Sequence, residues 1–266
     1  MEFETILYTE RDGIAVISLN RPEVLNAQNR QLVKDFLSAL RFTERQEDVK
    51  VVIIKGEGRA FCSGDDLSET HDLTSPEQGI MLIDELQDTT RVLLRLPKPV
   101  IAAVHGYALG AGCEWAMNCD IRIAAKGTKF GFPETGLGMT VTNAGTKLLP
   151  ILVGMGRAKE LVFTGDMIDA DQAKDWGLVN KVVPLEELDR VALDMARRIA
   201  RNSSLALTLS KRALNQGICQ GFEETLELET RDIALVIQGF ETSMRSDART
   251  RKTGKRKHAS ARKRKE

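Results

Sequence analysis

The 266-residue chain is poor in histidine and cysteine: it has His71, His105 and His258, and Cys62, Cys113, Cys119 and Cys219. So few histidines exclude a His-rich metal site, and a catalytic triad could draw only on His71 or His105. The cysteines are irregularly spaced in largely apolar contexts, with no CxxC pair. That pattern points to free thiols in a reducing compartment. There is no GxxxxGK[ST] phosphate loop, no GxGxxG opening a helix after a strand, no HExxH and no GxSxG. No run approaches 18 uncharged apolar residues, so no membrane span is expected. Met1-Glu2-Phe3-Glu4 lacks the basic and apolar regions of a secretory signal, and the expected location is cytoplasmic. At 42% hydrophobic and 29% charged residues, the bulk suits a folded body large enough to do without disulfide or metal staples.

Net charge is zero, from 38 basic and 38 acidic residues, and the zero conceals an asymmetry. Residues 249–266 hold ten Lys/Arg and one acid, a balance of +9, which leaves −9 on residues 1–248. A basic tail and an acidic body are therefore separate objects. The tail has almost nothing to bury and is expected to be disordered when unbound. It is open to three readings: a solvated extension, an electrostatic aid toward anionic substrate groups, or a contact with an anionic polymer such as RNA. It carries no patterned aromatics for base stacking.

In the body, the β-branched run over 13–19 predicts a strand that ends at the turn Asn20-Arg21-Pro22. Leu32, Phe36, Leu37 and Leu40 fall at helical spacing between Asn29 and Gln46. Residues 49–55 form a second apolar strand. Ser75, Pro76 and Gln78 have the arrangement of a helix start, with the helix running to about Leu96; Pro97-Lys98-Pro99 stops it and leads into the strand 100–104. A short helix over 113–118 and a strand over 121–124 follow, and Asp169, Gln172 and Gly177 bracket another helix. Residues 178–183 are strand-like. Leu185, Leu188, Val191, Ala192, Met195 and Ile199 mark the clearest amphipathic helix, and two more are expected near 203–215 and 222–240. Strands alternating with helices and closing on helices alone predict an α/β fold with a helical C-terminal region.

Glycine is concentrated over 106–138, at Gly106, Gly110, Gly112, Gly127, Gly131, Gly136 and Gly138. Two glutamates sit among these glycines in apolar surroundings, Glu114 after Gly110-Ala111-Gly112-Cys113 and Glu134 in Phe130-Gly-Phe-Pro-Glu134. Each could face solvent or pair structurally with Lys or Arg. Brought together, they would form an acid/base pair with divergent pKa values. Cys62, in Arg59-Ala-Phe-Cys-Ser-Gly64, has no designated base and is read as a packing residue. His105 follows a buried strand and is read as a structural histidine bonded to backbone.

The chain resembles the crotonase (enoyl-CoA hydratase/isomerase) superfamily. The likeness is carried, in order, by Asn20-Arg21-Pro22 with Leu25-Asn26-Ala27, Ala60-Phe-Cys-Ser-Gly-Asp-Asp-Leu67, and Lys98 to Glu114. It continues through Cys119-Asp120, Phe130 to Glu134, Gly156-Arg157-Ala158, Thr164-Gly165, Ala173, Gly177 to Asn180, and Val182-Val183. It runs from about residue 5 to 248. The resemblance implies a crotonase-like spiral of ββα units over 1–200 that carries the coenzyme A site and active site. It also implies a helical region over 201–248 for trimerisation and active-site cover, with 249–266 left as the tail. The substrate would be an acyl thioester of coenzyme A, with no metal and no permanently bound cofactor, in a homotrimer or a dimer of trimers.

By the same resemblance, backbone N–H groups at Cys62 and Ala111 would form an oxyanion hole. Glu114 and Glu134 would hold a water over the C2=C3 bond of a 2-enoyl-CoA, Glu114 activating it and Glu134 protonating C2 in a reversible syn hydration to a 3-hydroxyacyl-CoA. Asn26, Ala27, Ala60, Gly64, Asp65, Asp66, Leu67, Tyr107 and Thr142 would line the coenzyme A and substrate path. Phe132, Thr135, Met139, Thr140 and the 71–86 region would shape the acyl pocket. The alternatives are a double-bond isomerase using chiefly Glu134, and a crotonase-like binding protein acting on RNA or a partner through the tail. Two departures stand out. Val141-Thr142-Asn143-Ala144-Gly145-Thr146 replaces the family's Pro-Gly-Ala-Gly-Gly-Thr, and Asp65 stands where a small residue is usual.

Overall fold

The computed structural model describes residues 2–69 and 75–238; His71 and the basic tail lie outside them. The chain divides into two compact units after Ser204. In the first unit, a six-stranded sheet comprises β1 (Ile6–Arg11), β2 (Ile14–Leu19), β3 (Val51–Gly56), β4 (Val100–Val104), β6 (Ile121–Ala125) and β9 (Lys181–Val183), in that order. β1 and β2 form an antiparallel hairpin and the remaining pairs are parallel. A three-stranded sheet, β5 (Tyr107–Leu109), β7 (Lys129–Gly131) and β8 (Ile168–Asp169), lies beside it. Cys62 extends the small sheet through a parallel bridge to Ala108.

Each turn of the chain therefore runs through one strand of the large sheet, one strand or bridge of the small sheet, and a helix. This is the expected ββα spiral. Its helices are α1 (Arg30–Arg45), α2 (Pro76–Arg95), α3 (Ala111–Asn118), α4 (Gly145–Val153), α5 (Met155–Thr164), α6 (Ala170–Asp175) and α7 (Leu188–Ala200). Helix α1 is capped by the Asn29 side chain, α2 by Ser75 and α6 by Asp169.

The central strands read as continuous apolar runs because both faces of the large sheet are covered. The two-residue side-chain period sends Ala15, Ile17, Val52, Ile54, Val100, Ala102 and Ala124 into one core with Phe36, Phe61 and Trp115. Ile14, Val51, Ile53, Ile101, Ala103 and Ile123 go to the other, under Leu188, Val191, Ala192 and Ala196 of α7. The amphipathic stripe read from the sequence is this lid. Sequence patterning misses β1, whose outward residues are mostly polar, and the short β5, β7 and β8, which are too brief to show a period. It also misses α4, which is apolar almost all round, and α5.

In the second unit, α8 (Ser204–Gly217) and a helical stretch over 222–238 enclose an apolar groove that includes Leu209, Leu214, Ile218, Ile233 and Val236. Arg212 and Asp232 form an ion pair across it. The expected helical C-terminal region is present.

Candidate active site

Helix α3 is buried at all eight of its residues. It starts at Gly110, whose φ of +50° lets the chain turn out of β5. A Cβ at Gly112 would stand 2.3 Å from the Cys62 carbonyl oxygen, so the helix reaches the bridging strand only because that position has no side chain. One turn further in is Glu114, 1% exposed. Its Oε1 accepts the Thr142 N–H at 2.6 Å, and its Oε2 accepts the Asn143 amide at 2.8 Å and the Thr142 hydroxyl at 3.2 Å. Burial raises its pKa, the three donors oppose that rise, and Asp65 adds to it.

Glu134 comes from a different element, the 3₁₀ turn Pro133–Leu137, and is 7% exposed. Its Oε1 lies 3.2 Å from where a Cβ on Gly110 would be, which places it at the entry to α3, one turn before Glu114. Neither of its oxygens accepts a hydrogen bond from another residue. Burial pushes its pKa up to about 7, with Glu114 and Asp65 contributing in the same direction. Among the described residues, no Lys or Arg forms an ion pair with either glutamate. The fold sets a well-donated carboxylate and an undonated one close together and both buried. An unequal set of donors on two neighbouring carboxylates gives them an unequal hold on a proton, as acid/base work requires.

The expectation for Cys62 requires correction. Its N–H donates to the Tyr107 carbonyl at 3.0 Å as half of the bridge to Ala108, and is committed there. Ala111 is different: as the first residue of α3, its N–H has no intrahelical acceptor. A second outward-facing N–H belongs to Asp65. In its bridge with Gln28, the bonds run from Gln28 N–H to Gly64 O and from Asp66 N–H to Gln28 O, which leaves the Asp65 N–H on the opposite side of the strand. A Cβ on Gly64 would lie 3.8 Å from the Ala111 nitrogen, so the two segments are adjacent.

The other predicted residues divide. Asn26 is a brace and not a binding side chain: fully buried, it accepts from Arg21 N–H and donates to the carbonyls of Glu57 and Ala60. Ala60 is fully buried and Ala27 nearly so. Asp66 is held by Ser68 and Arg21, which lower its pKa. Asp65, in contrast, is partly buried and its pKa is raised by that burial. Leu67 and Tyr107 are exposed, at 43% and 40%. Phe132 belongs to the core, and Thr135 spends its hydroxyl on the Val162 carbonyl, while Met139 and Thr140 are exposed. The Cys62 thiol is buried and its pKa is pushed up to about 12, in keeping with a packing role. The His105 ring bonds the Gly58 carbonyl at 3.0 Å, as read from the sequence. Among the described residues, no group of three or more His, Cys, Asp or Glu side chains is placed to hold a metal ion, and no helix is long and apolar enough to cross a membrane.

Comparison with known proteins gives this recess a family. The family model described as enoyl-CoA hydratase/isomerase matches residues 9–253. The chain belongs to the enoyl-CoA hydratase/isomerase family. It is 41% identical to the short-chain-enoyl-CoA hydratase of Clostridium acetobutylicum, over 97% of each chain. It is also 41% identical to the crotonyl-CoA hydratase of Syntrophomonas wolfei, over 86% of this chain and 88% of that one. The crystal structure of an enoyl-CoA hydratase from Bacillus anthracis superposes with a TM-score of 0.85 at 37% identity, over 88% of this chain and 92% of that one. The chain is an enzyme of the enoyl-CoA hydratase type, with family-level hydratase/isomerase chemistry on an enoyl-CoA-like substrate.

The family match extends to residue 253, a few residues into the basic tail. In this hydratase/isomerase Asn143 stands in the departing 141–146 stretch with no role marked for it there, and Thr90 and Asn118 carry no signal in the sequence. Asn143 has φ +46° and is buried, which asparagine tolerates better than most residues. That conformational preference, together with the departure of the stretch around it, is the signal the sequence holds. Thr90 looks like any small residue on a packed helix.

Proposed function

We propose that the enzyme catalyses the reversible hydration of a 2-enoyl-CoA thioester to a 3-hydroxyacyl-CoA. The observation that carries this reading is the asymmetry of the two buried carboxylates. Glu114 accepts three hydrogen bonds, which act toward its ionised form against the effect of burial, while Glu134 accepts none and burial holds its proton. Glu114 takes a proton from a water molecule, whose oxygen bonds to C3. The C2=C3 π electrons move toward the thioester, and the Glu134 proton is delivered to C2. Addition from one side of the double bond makes the hydration syn, and dehydration retraces the path.

The developing enolate oxygen is held by the N–H groups of Ala111 and Asp65, the first of them at the positive end of α3. Donors fixed in a dry recess act on charge that appears only as the reaction proceeds, which is why backbone in a rigid setting serves better than a mobile side chain. Leu67 and Tyr107 offer apolar surface to the coenzyme A chain. Assembly into trimers belongs to the same reading and is supported by exposed apolar residues of the C-terminal helices, Leu214 and Phe222, at 74% and 90%.

The test is turnover of a panel of straight-chain, branched, aromatic and cyclic 2-enoyl-CoA thioesters, followed by loss of the conjugated thioester absorbance. Glu114→Gln is expected to lower hydration by roughly 10²–10⁴-fold, the usual contribution of a positioned base. An enzyme that turns over none of the panel, while a control hydratase does, is not a hydratase. One that shifts a double bond and is indifferent to Glu114→Gln is an isomerase.

A further inference from the structure

The loop that replaces the family's glycine-rich stretch adds side-chain donors that a Gly-Ala pair could not supply. Asn143 Nδ2 donates to Glu114 Oε2 at 2.8 Å, and Asn143 Oδ1 accepts from the Thr90 hydroxyl at 3.1 Å. The same Thr90 oxygen accepts from Asn118 Nδ2 at 2.9 Å. The result is a buried chain, Asn118–Thr90–Asn143–Glu114, that starts on α3, crosses to α2 and returns through the 141–144 loop to the carboxylate on α3. All four residues are at most 5% exposed. The hydrogen bonds run in one direction along the chain, from Asn118 toward Glu114. Thr90 has one proton, which it gives to Asn143 Oδ1, and this fixes the Asn143 amide with its NH₂ toward Glu114. An NH₂ group can only donate, and the oxygen it meets is a stronger acceptor as a carboxylate than as a protonated carboxyl.

We propose that Asn143 is a positioning residue for hydration: oriented by Thr90, its amide fixes the Glu114 carboxylate in rotamer and in the unprotonated state, which leaves Glu134 as the partner that carries the proton. The inference rests on the hydratase reading for its kinetic consequence and on the hydrogen-bond chain for its substance. Three donors occupy three of roughly four acceptor sites of the Glu114 carboxylate, and one remains on Oε1 for a water. The titratable groups around Glu114 are Asp65 from the loop after β3, Glu134 from its 3₁₀ turn and the buried Cys113 thiol beside it on α3; each adds negative charge or none. The neutral donors of the 142–143 segment are therefore what favours the anion.

The test uses Asn143→Gly, because glycine accepts a φ of +46° and removes the amide without backbone strain. It is paired with Thr90→Val and Thr90→Ser, which act from α2. The expected result for Asn143→Gly is an acidic limb of the kcat profile moved upward by about one pH unit and a kcat near neutrality lowered roughly tenfold, with KM little changed. Thr90→Val moves the limb the same way by less, and Thr90→Ser, which keeps the hydroxyl, restores the wild-type profile. Infrared titration of the carboxyl stretch in substrate-free enzyme, assigned by its loss in Glu114→Gln, is expected to show the same upward shift. An unchanged limb and an unchanged infrared midpoint in both Asn143→Gly and Thr90→Val overturn the proposal. Should Asn143→Gly fail to fold, the Thr90→Val and Thr90→Ser pair decides. An infrared shift in an enzyme that hydrates no thioester supports the placement of Asn143 and removes only the hydratase reading.

Discussion

Replacing Gly112 by alanine tests the architecture of the recess more directly than altering either glutamate. The new Cβ would be 2.3 Å from the Cys62 carbonyl oxygen and 2.8 Å from the Cys62 Cβ, and neither is the end of a flexible side chain. Ordinary contact requires about 1 Å more than the shorter of these, so α3 must retreat from the Cys62 strand by about that amount. Ala111 and Glu114 ride on α3, while Gly64 and Asp65 follow Cys62. The displacement opens the gap between the two proposed enolate donors and moves Glu114 relative to Glu134. A misplacement of about 1 Å costs roughly 100-fold in rate, and overpacking costs about 1–3 kcal/mol in stability. Gly112→Ala should therefore fold, lose stability by that amount, and show kcat reduced about 100-fold. Gly156→Ala in α5 is the control, since nothing lies within 4 Å of its Cβ; it should be neutral or stabilising by up to about 1 kcal/mol. Steady-state hydration kinetics with urea denaturation of each variant settles the matter. A Gly112→Ala enzyme with near wild-type kcat would refute the claim that the spacing between α3 and the Cys62 strand sets the catalytic geometry.

Glu134 gives a prediction about pH and stability. Folding raises its pKa from 4.5 to about 7, so its stabilising contribution is complete below 4.5 and is lost as pH rises through 7. Glu134→Gln carries no charge to bury and should be more stable than wild type at pH 8 by about 1–3 kcal/mol, with the difference vanishing near pH 4.5, while hydration collapses. Denaturation at the two pH values checks the sign; an equal difference at both contradicts it. Lys98 is a purely structural counterpart. Its ammonium is buried and donates to the carbonyls of Thr43, at 2.6 Å, and Gln46 at the C-terminal end of α1. Lys98→Met should cost about 1–3 kcal/mol in urea denaturation and leave kcat unchanged.

Much of this molecule is written locally. The apolar runs of β2, β3 and β4 announce strands because both faces of their sheet are buried. The α7 stripe announces a covering helix, and Asn29, Ser75 and Asp169 announce helix starts because their side chains satisfy backbone donors within a few residues. Gly106 and Gly112 mark the site for a similar reason: a chain that approaches another backbone closely, here the carbonyls of Arg59 and Cys62, cannot carry side chains there. Three-residue strands with no period of their own, β5 and β7, become strands only by pairing with each other and with Cys62. That pairing also decides which N–H groups are spent, and it moves the second proposed oxyanion donor from Cys62 to Asp65. A residue's N–H is used or free according to the direction its strand faces, and sequence does not record that direction. The difference between the two glutamates is likewise tertiary. Both are carboxylates among glycines in the sequence, and only the approach of Thr142 and Asn143 to one of them, and of nothing to the other, gives the pair its unequal hold on a proton.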